Sequence, residues 1–175
     1  MSILSKRALL VIDIQKDYFP GYRFPLWNTE GVLENIVTAI KRAQDQGVQV
    51  ILIQHIADEA SGIAPFFNAG TTGAEIHPRI RAAVSHAPIV IKSAADAFWK
   101  TELKNILEEN GINELLLCGM MTQNCVTHTA LSPDAAAYRI TVLSDCCTSV
   151  TEMVHLIALN ALSVRIPLVQ LNKIL

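Results

Sequence analysis

Short apolar runs punctuate the chain at residues 8–12, 48–54, 88–91, 114–118, 140–143 and 164–169. They are rich in Val, Ile and Leu and lack strict alternation with polar residues. That pattern suits strands covered on both faces, as in parallel α/β sheets. Between the runs the apolar spacing becomes helical. Val32, Leu33, Ile36, Val37 and Ile40 recur at this spacing, with Thr29 as the expected N-cap and Gly47 as the stop. Thr101 is placed to cap a helix over 102–110, closed by Gly111. Ser149-Val-Thr-Glu152 has the form of a capping box before a helix over 153–162. His77-Pro78 reads as a further helix start. The stretch from Thr127 to Leu131 is helix-capable, but Pro133 lacks the amide donor a longer helix would use. A break near Ser132 is expected, with Ser132 as a new N-cap and Pro133 at the first helical position. Strand, helix, strand in repetition predicts a doubly wound α/β fold.

Composition narrows the function classes. With 175 residues, 51% of them apolar and 17% charged, the chain suits one domain over 1–175 with a sizeable core. The net charge of −2 and the scattered basic residues argue against nucleic acid or an anionic membrane as partner. No apolar run reaches transmembrane length, and the N-terminus has no apolar stretch before its first charges. The expectation is a reduced, cytoplasmic protein acting on a small molecule. Cys118, Cys125, Cys146 and Cys147 have no zinc-knuckle spacing. No Gly-x-Gly-x-x-Gly follows the first run, which argues against a dinucleotide site.

Three runs end in residues that could act together. The first delivers Asp13 and the third Lys92. The fourth passes through Gly119 into a turn that presents Cys125 at or near a helix start, where backbone N–H groups favour a thiolate. A thiol, an acid and an amine could make a nucleophile, its base and a charge stabiliser. Each has a bland reading too. A cysteine beside an apolar strand is ordinarily a small core residue, an aspartate after a strand a turn residue, and a lysine there a solvated charge. His128, one helical turn beyond Cys125, has no evident orienting acid and is a weak candidate for a papain-like partner.

With these residues in place the chain resembles the isochorismatase-like cysteine hydrolases, a family that includes nicotinamidases. Asp13-Ile-Gln15-Lys-Asp17-Tyr18-Phe19 resembles the opening segment. Lys92 followed by Ala97-Phe98 and Thr101-Glu-Leu103 resembles the lysine segment, and Gly119-Met-Met121-Thr122-Gln-Asn-Cys125-Val126 the nucleophile loop. Ser144-Asp145-Cys146 with His155 resembles the closing strand and helix. The resemblance implies a six-stranded sheet in the order 3-2-1-4-5-6 and a triad of Asp13, Lys92 and Cys125. It also implies a cis bond between Met120 and Met121 that aims the Met121 and Cys125 N–H groups as an oxyanion hole. In that order Lys92 lies two strands from Asp13, roughly 10 Å away, a gap its side chain must cross.

Gln15, Tyr18, Phe66, Phe98 and Thr122 are the candidate substrate-binding residues. The aromatic loops at 18–27 and 55–73 could wall the pocket or pack a subunit interface. Nicotinamidases also hold a metal through an Asp-x-His pair, which Gln54-His55-Ile-Ala-Asp58-Glu59 lacks, so no metal or cofactor is expected. A homo-oligomer is expected from the apolar composition and the resemblance. Three functions stand open: a cysteine amidohydrolase cleaving a carboxamide or related C–N bond, a vinyl-ether hydrolase of isochorismatase type that does not need the thiol, and a non-catalytic oligomeric binding protein.

Overall fold

A computed structural model describes residues 6–175. Its sheet has six parallel strands in the order β3-β2-β1-β4-β5-β6. The strands are β1 (Arg7–Ile12), β2 (Gln49–His55), β3 (Ile89–Lys92), β4 (Glu114–Met120), β5 (Arg139–Thr148) and β6 (Leu168–Val169). The helices are α1 (Thr29–Asp45), α2 (Pro78–Ala83), α3 (Leu103–Glu109), α4 (Thr127–Ala130) and α5 (Glu152–Ser163). Alternate residues of β1 feed two core layers. Leu9 and Val11 pack with Leu33, Ile36 and Ile40 of α1, while Ala8, Leu10 and Ile12 pack with Leu103 and Leu107 of α3. Both faces of β1 are thus dry, which is why its sequence shows no alternation. Among the described residues no helix is long and apolar enough to cross a membrane.

The element ends differ from expectation where polar side chains found other work. Asn28, in a left-handed conformation, occupies the N-cap of α1, and Thr29 is the first helical residue. Thr151, not Ser149, caps α5, its hydroxyl accepting from the Val154 N–H at 3.2 Å. Ser149 instead donates to Gln123 Oε1 at 2.6 Å, tying the start of α5 to the nucleophile loop. Glu102 holds the cap position of α3, although the Thr101 hydroxyl accepts from the Leu103 N–H at 3.2 Å. The break at Ser132 is present, but the restart is a short 3₁₀ turn over Asp134–Ala137 with Pro133 in the cap position. β6 is shorter than the apolar run suggested, because Val164 continues the helical backbone of α5.

β5 runs well past the predicted 140–143. Leu117 pairs with Val142, but Gly119 pairs with Cys147, so extra residues of β5 bulge between the two pairs. The bulge absorbs the polar Ser144-Asp145, which masked the strand in the sequence. The Asp145 carboxylate accepts from the Leu171 N–H at 2.9 Å, and its carbonyl from Asn35 Nδ2 at 2.6 Å. β4 also runs on into Gly119 and Met120. Gly119 has φ +133°, and a Cβ there would lie 2.1 Å from the Ile12 carbonyl oxygen. Only a residue without a side chain lets β4 come this close to the end of β1.

Gly119→Ala is expected to destabilise the fold by more than about 3 kcal/mol, since neither backbone can yield without breaking the ladder. Urea unfolding of variant and wild type measures this, with the midpoint lower at an unchanged slope.

Candidate active site

Asp13 follows β1 with φ +54°, a conformation aspartate tolerates better than most residues. Its N–H donates to the Ile53 carbonyl at 3.0 Å, so the ladder continues up to the turn. Lys92 closes β3, and its side chain crosses β2 as the sequence reading required. Its Nζ lies 2.9 Å from Asp13 Oδ2, 3.3 Å from Cys125 Sγ, 3.0 Å from His55 Nδ1 and 3.0 Å from the Ala94 carbonyl. Asp13, Lys92 and Cys125 are 0%, 2% and 2% exposed. The three residues therefore meet, at the crevice between β1 and β4 where the strand order reverses.

Cys125 is not in the first turn of an ordinary α-helix. Residues Thr122–Val126 form a wider π-type turn, in which the Val126 N–H donates to the Met121 carbonyl at 3.3 Å. The Thr127 hydroxyl donates to the Thr122 carbonyl at 2.6 Å and joins this turn to α4. The Met120–Met121 bond is cis, as the resemblance implied.

The electrostatics correct one expectation. A helix start was expected to lower the Cys125 pKa. Burial instead pushes the thiol up and the Asp13 carboxylate adds to this, while Lys92 pulls it down without balancing them. The balance favours the protonated thiol. Burial pulls the Lys92 amine down, but the neighbouring Asp13 leads the interactions that raise it, so the ammonium stays charged. The contact of Lys92 with Oδ2 is an ion pair rather than an aligned hydrogen bond. Neither Asp13 oxygen has an aligned hydrogen-bond partner among the described residues.

His55 is the site residue that sequence reasoning missed. It was weighed only as part of a possible metal segment. In the sheet it pairs with Lys92 in register, on the strand between Lys92 and Asp13. An ammonium can only donate, so His55 Nδ1 accepts and the ring is neutral with its proton on Nε2. Burial and Lys92 both hold its pKa below the ordinary value, in agreement. Strand order combined with register would have found it.

Donor atoms of Asp13, His55 and Cys125 lie within 4.8 Å of one another, close enough to consider a metal. The set does not fit one. The Lys92 ammonium already lies 2.9–3.3 Å from Asp13, His55 and Cys125, where a cation would sit.

The candidate binding residues divide. Tyr18 is buried beside the triad, its hydroxyl kept neutral by burial and then by Asp13 and Cys125. Its ring packs on Phe66 at 5.2 Å and Phe67 at 4.5 Å, and Phe66 on Phe24 at 4.8 Å. The two aromatic loops thus meet each other within one chain. Asp17 ties them, its Oδ2 accepting from the Phe67 N–H at 2.8 Å. Gln15 has both N–H groups engaged, with the His55 carbonyl at 2.8 Å and the Ala74 carbonyl at 2.7 Å, while its oxygen accepts from the His55 N–H at 2.8 Å. It is a clamp with no N–H left for a ligand. Thr122 is also committed: its hydroxyl donates to the Thr148 carbonyl at 2.9 Å, so His155 Nδ1, 2.8 Å away, must be the donor to it. Phe98 stacks on Tyr138 at 6.0 Å, apart from the Tyr18 cluster. A cleft of about 440 Å³ along the ends of β2 and β3 reaches Lys92, between Ala57, Ala69 and Ser93. A cavity of about 450 Å³ at the opposite end of the sheet, between Arg139 and Pro167, touches none of the triad.

The raised thiols set the pH dependence of alkylation. Burial pushes Cys147 up to about 12, and Cys118 and Cys146 are also held protonated, chiefly by burial. At pH 7 iodoacetamide should label all four cysteines at least about tenfold more slowly than a free thiol of pKa near 8.5. The rate at Cys125 should keep rising beyond pH 9. Peptide mapping by mass spectrometry measures this, and a plateau at Cys125 below pH 8 would contradict the electrostatics.

Comparison with known proteins agrees with this architecture. The Isochorismatase domain family profile matches residues 7–170. The isochorismatase family protein YddQ of Bacillus subtilis is 36% identical over 144 residues, covering 82% of this chain and 78% of its own. The crystal structure of an isochorismatase-like hydrolase from Alkaliphilus metalliredigens superposes with a TM-score of 0.87 at 26% identity, covering 97% of this chain and 96% of the other. A pyrazinamidase of Pyrococcus horikoshii in complex with zinc gives 0.81 at 25% identity, covering 94% and 99%. From the sheet order, the meeting of Asp13, Lys92 and Cys125, and these matches, the chain belongs to the isochorismatase family.

Proposed function

We propose that the protein is a cysteine amidohydrolase that cleaves the C–N bond of a small carboxamide or related compound. The observation that carries this reading is the buried contact of Lys92 Nζ with both Asp13 Oδ2 and Cys125 Sγ, beside an Asp13 oxygen with no partner. A structural relative named as a pyrazinamidase supports the substrate class.

Cys125 gives its proton to Asp13, and the sulfur attacks the carbonyl carbon as the proton leaves. A thiol held neutral suits this order, because the nucleophile is made only when the acceptor carboxylate and the substrate are both in place. The N–H groups of Met121 and Cys125 receive the negative charge that forms on the carbonyl oxygen. Asp13 returns the proton to the nitrogen as the C–N bond breaks, leaving a thioester and free amine or ammonia. A water then gives a proton to Asp13 and attacks the thioester carbon. The carboxylic acid departs, and Asp13 restores the Cys125 thiol. Lys92 stays charged throughout, held by His55 from the strand that lies between it and Asp13. The packed rings of Tyr18, Phe66 and Phe67 form an apolar wall that limits the access of bulk water.

Assays against nicotinamide, pyrazinamide, aliphatic carboxamides, ureas and isochorismate test the reading. An amide or urea should be turned over with release of ammonia, and a rapidly quenched sample should carry an acyl group on Cys125. Cys125→Ala and Asp13→Asn should each lower kcat by at least about 10³-fold. His55→Gln, which keeps an acceptor, should retain more activity than His55→Leu. Exhaustive chelation should leave activity unchanged. Isochorismate hydrolysis that survives Cys125→Ala would replace this reading with the vinyl-ether one.

A further inference from the structure

The cavity of about 450 Å³ at the far end of the sheet is walled on one side by a broken helix. Helix α4 stops at Ala130, and Pro133 leads instead into the 3₁₀ turn over Asp134–Ala137. Ala130, Ser132, Ala135 and Ala136 line the cavity along this break, with side chains too small to fill it. Ile140, near the start of β5, and Ile166, just before β6, add apolar surface. The volume falls within the roughly 300–1,000 Å³ of small-molecule sites.

Two arginines also line the cavity, and they differ. Arg139 is paired at 3.2 Å with Glu114, which lines it too, so their charges cancel locally. Arg165 is in no ion pair among the described residues. The lining therefore holds one uncompensated positive charge beside apolar surface. In the wall, Ser132 is 6% exposed and its hydroxyl has no hydrogen-bond partner among the described residues. A buried hydroxyl without a partner costs free energy, which a ligand oxygen can offset after one rotamer change.

We propose that this cavity is a binding site for a small monocarboxylic acid with an apolar body, aromatic or branched. The guanidinium fork of Arg165 matches a carboxylate through two parallel N–H···O bonds. One uncompensated charge suits a monoanion. A phosphate dianion would bring a second charge that the lining leaves unmatched, and it has no apolar body for the surface of Ile140 and Ile166. A neutral amide would leave the guanidinium without its anion. The site stands apart from the reaction centre, since the cavity touches none of Asp13, Lys92 and Cys125. Ala130 and Ala135 nevertheless pack in the same core layer as Cys125 and Val126. The acid is thus held against the layer that seats the thiol without competing for it.

Isothermal titration calorimetry of the full chain, with phenylacetate as the probe, tests the proposal. Phenylacetate should bind at one site with a Kd below about 1 mM. Phenylacetamide, its neutral isostere, measured on Cys125→Ala so that it is not consumed, should bind at least about tenfold more weakly. Inorganic phosphate at about pH 8, where it is mainly a dianion, should also bind at least about tenfold more weakly. Arg165→Met removes the charge from an exposed side chain and should weaken phenylacetate at least about tenfold. Ala136→Trp sets a large ring at an exposed position of the wall and should abolish binding up to about 10 mM. Thermal unfolding of both variants should stay cooperative. No binding of phenylacetate at about 10 mM would overturn the proposal. So would binding by a folded variant indifferent to either substitution, which would place the acid elsewhere in the molecule. Phenylacetamide or phosphate binding as tightly as phenylacetate would overturn the assignment of a monocarboxylic acid.

Discussion

The buried ion pair of Lys92 and Asp13 is the constraint around which the rest of the structure is arranged. Taking two opposite charges out of water costs several kcal/mol per ion, and their attraction repays this only with good geometry and further polar partners. Here those partners are the His55 ring, the Ala94 carbonyl and the Cys125 sulfur, which surround the ammonium on its remaining sides. Each arrives at the carboxyl end of a strand or in the loop just after one. The parallel sheet makes this possible, because it delivers the ends of β1, β2, β3 and β4 to one edge of the molecule.

Around this charge cluster the polar groups are committed in pairs. Gln15 ties the end of β1 to the end of β2 and to the Ala74 loop. Asp17 ties the first aromatic loop to the second. Thr122, His155 and Ser149 tie the nucleophile loop to β5 and α5. The result is a site whose walls are cross-linked by hydrogen bonds, while the Asp13 carboxylate, ion-paired with Lys92, has no aligned hydrogen-bond partner among the described residues. Buried polar groups are nearly always satisfied, and here the ion pair with Lys92 does the work that hydrogen bonds do elsewhere.

Much of this was legible in the sequence, and the failures have physical causes. The unbroken Val, Ile and Leu runs marked the strands, because burial on both faces leaves no polar positions. The ends of β5 and β6 were not legible, since a bulge hid Ser144 and Asp145 inside a strand and Val164 continued a helix while looking like a strand residue. Capping side chains were misassigned by one or two positions, because several hydroxyl and amide residues competed for each helix start. The triad could be named from its three segments, but the sign of the Cys125 shift could not. A helix start favours a thiolate, and only coordinates show that burial and a neighbouring carboxylate win. His55 illustrates the same limit: its importance lies in lying across the sheet from Lys92, a relation no linear spacing encodes.

The attachment of the two aromatic loops is asymmetric. Asp17 grips the second loop by the backbone N–H of Phe67, not by a side chain, and Gly73 is held bare because a Cβ there would lie 2.0 Å from the same carboxylate. The anchor is therefore indifferent to which ring is carried by Phe66 or to what stands at the exposed Ile63. Mutation can change the rings of this loop while the pair of Lys92 and Asp13 stays intact. On such a scaffold the surface the loop presents can drift by small steps, with no step passing through a form that has lost its anchor.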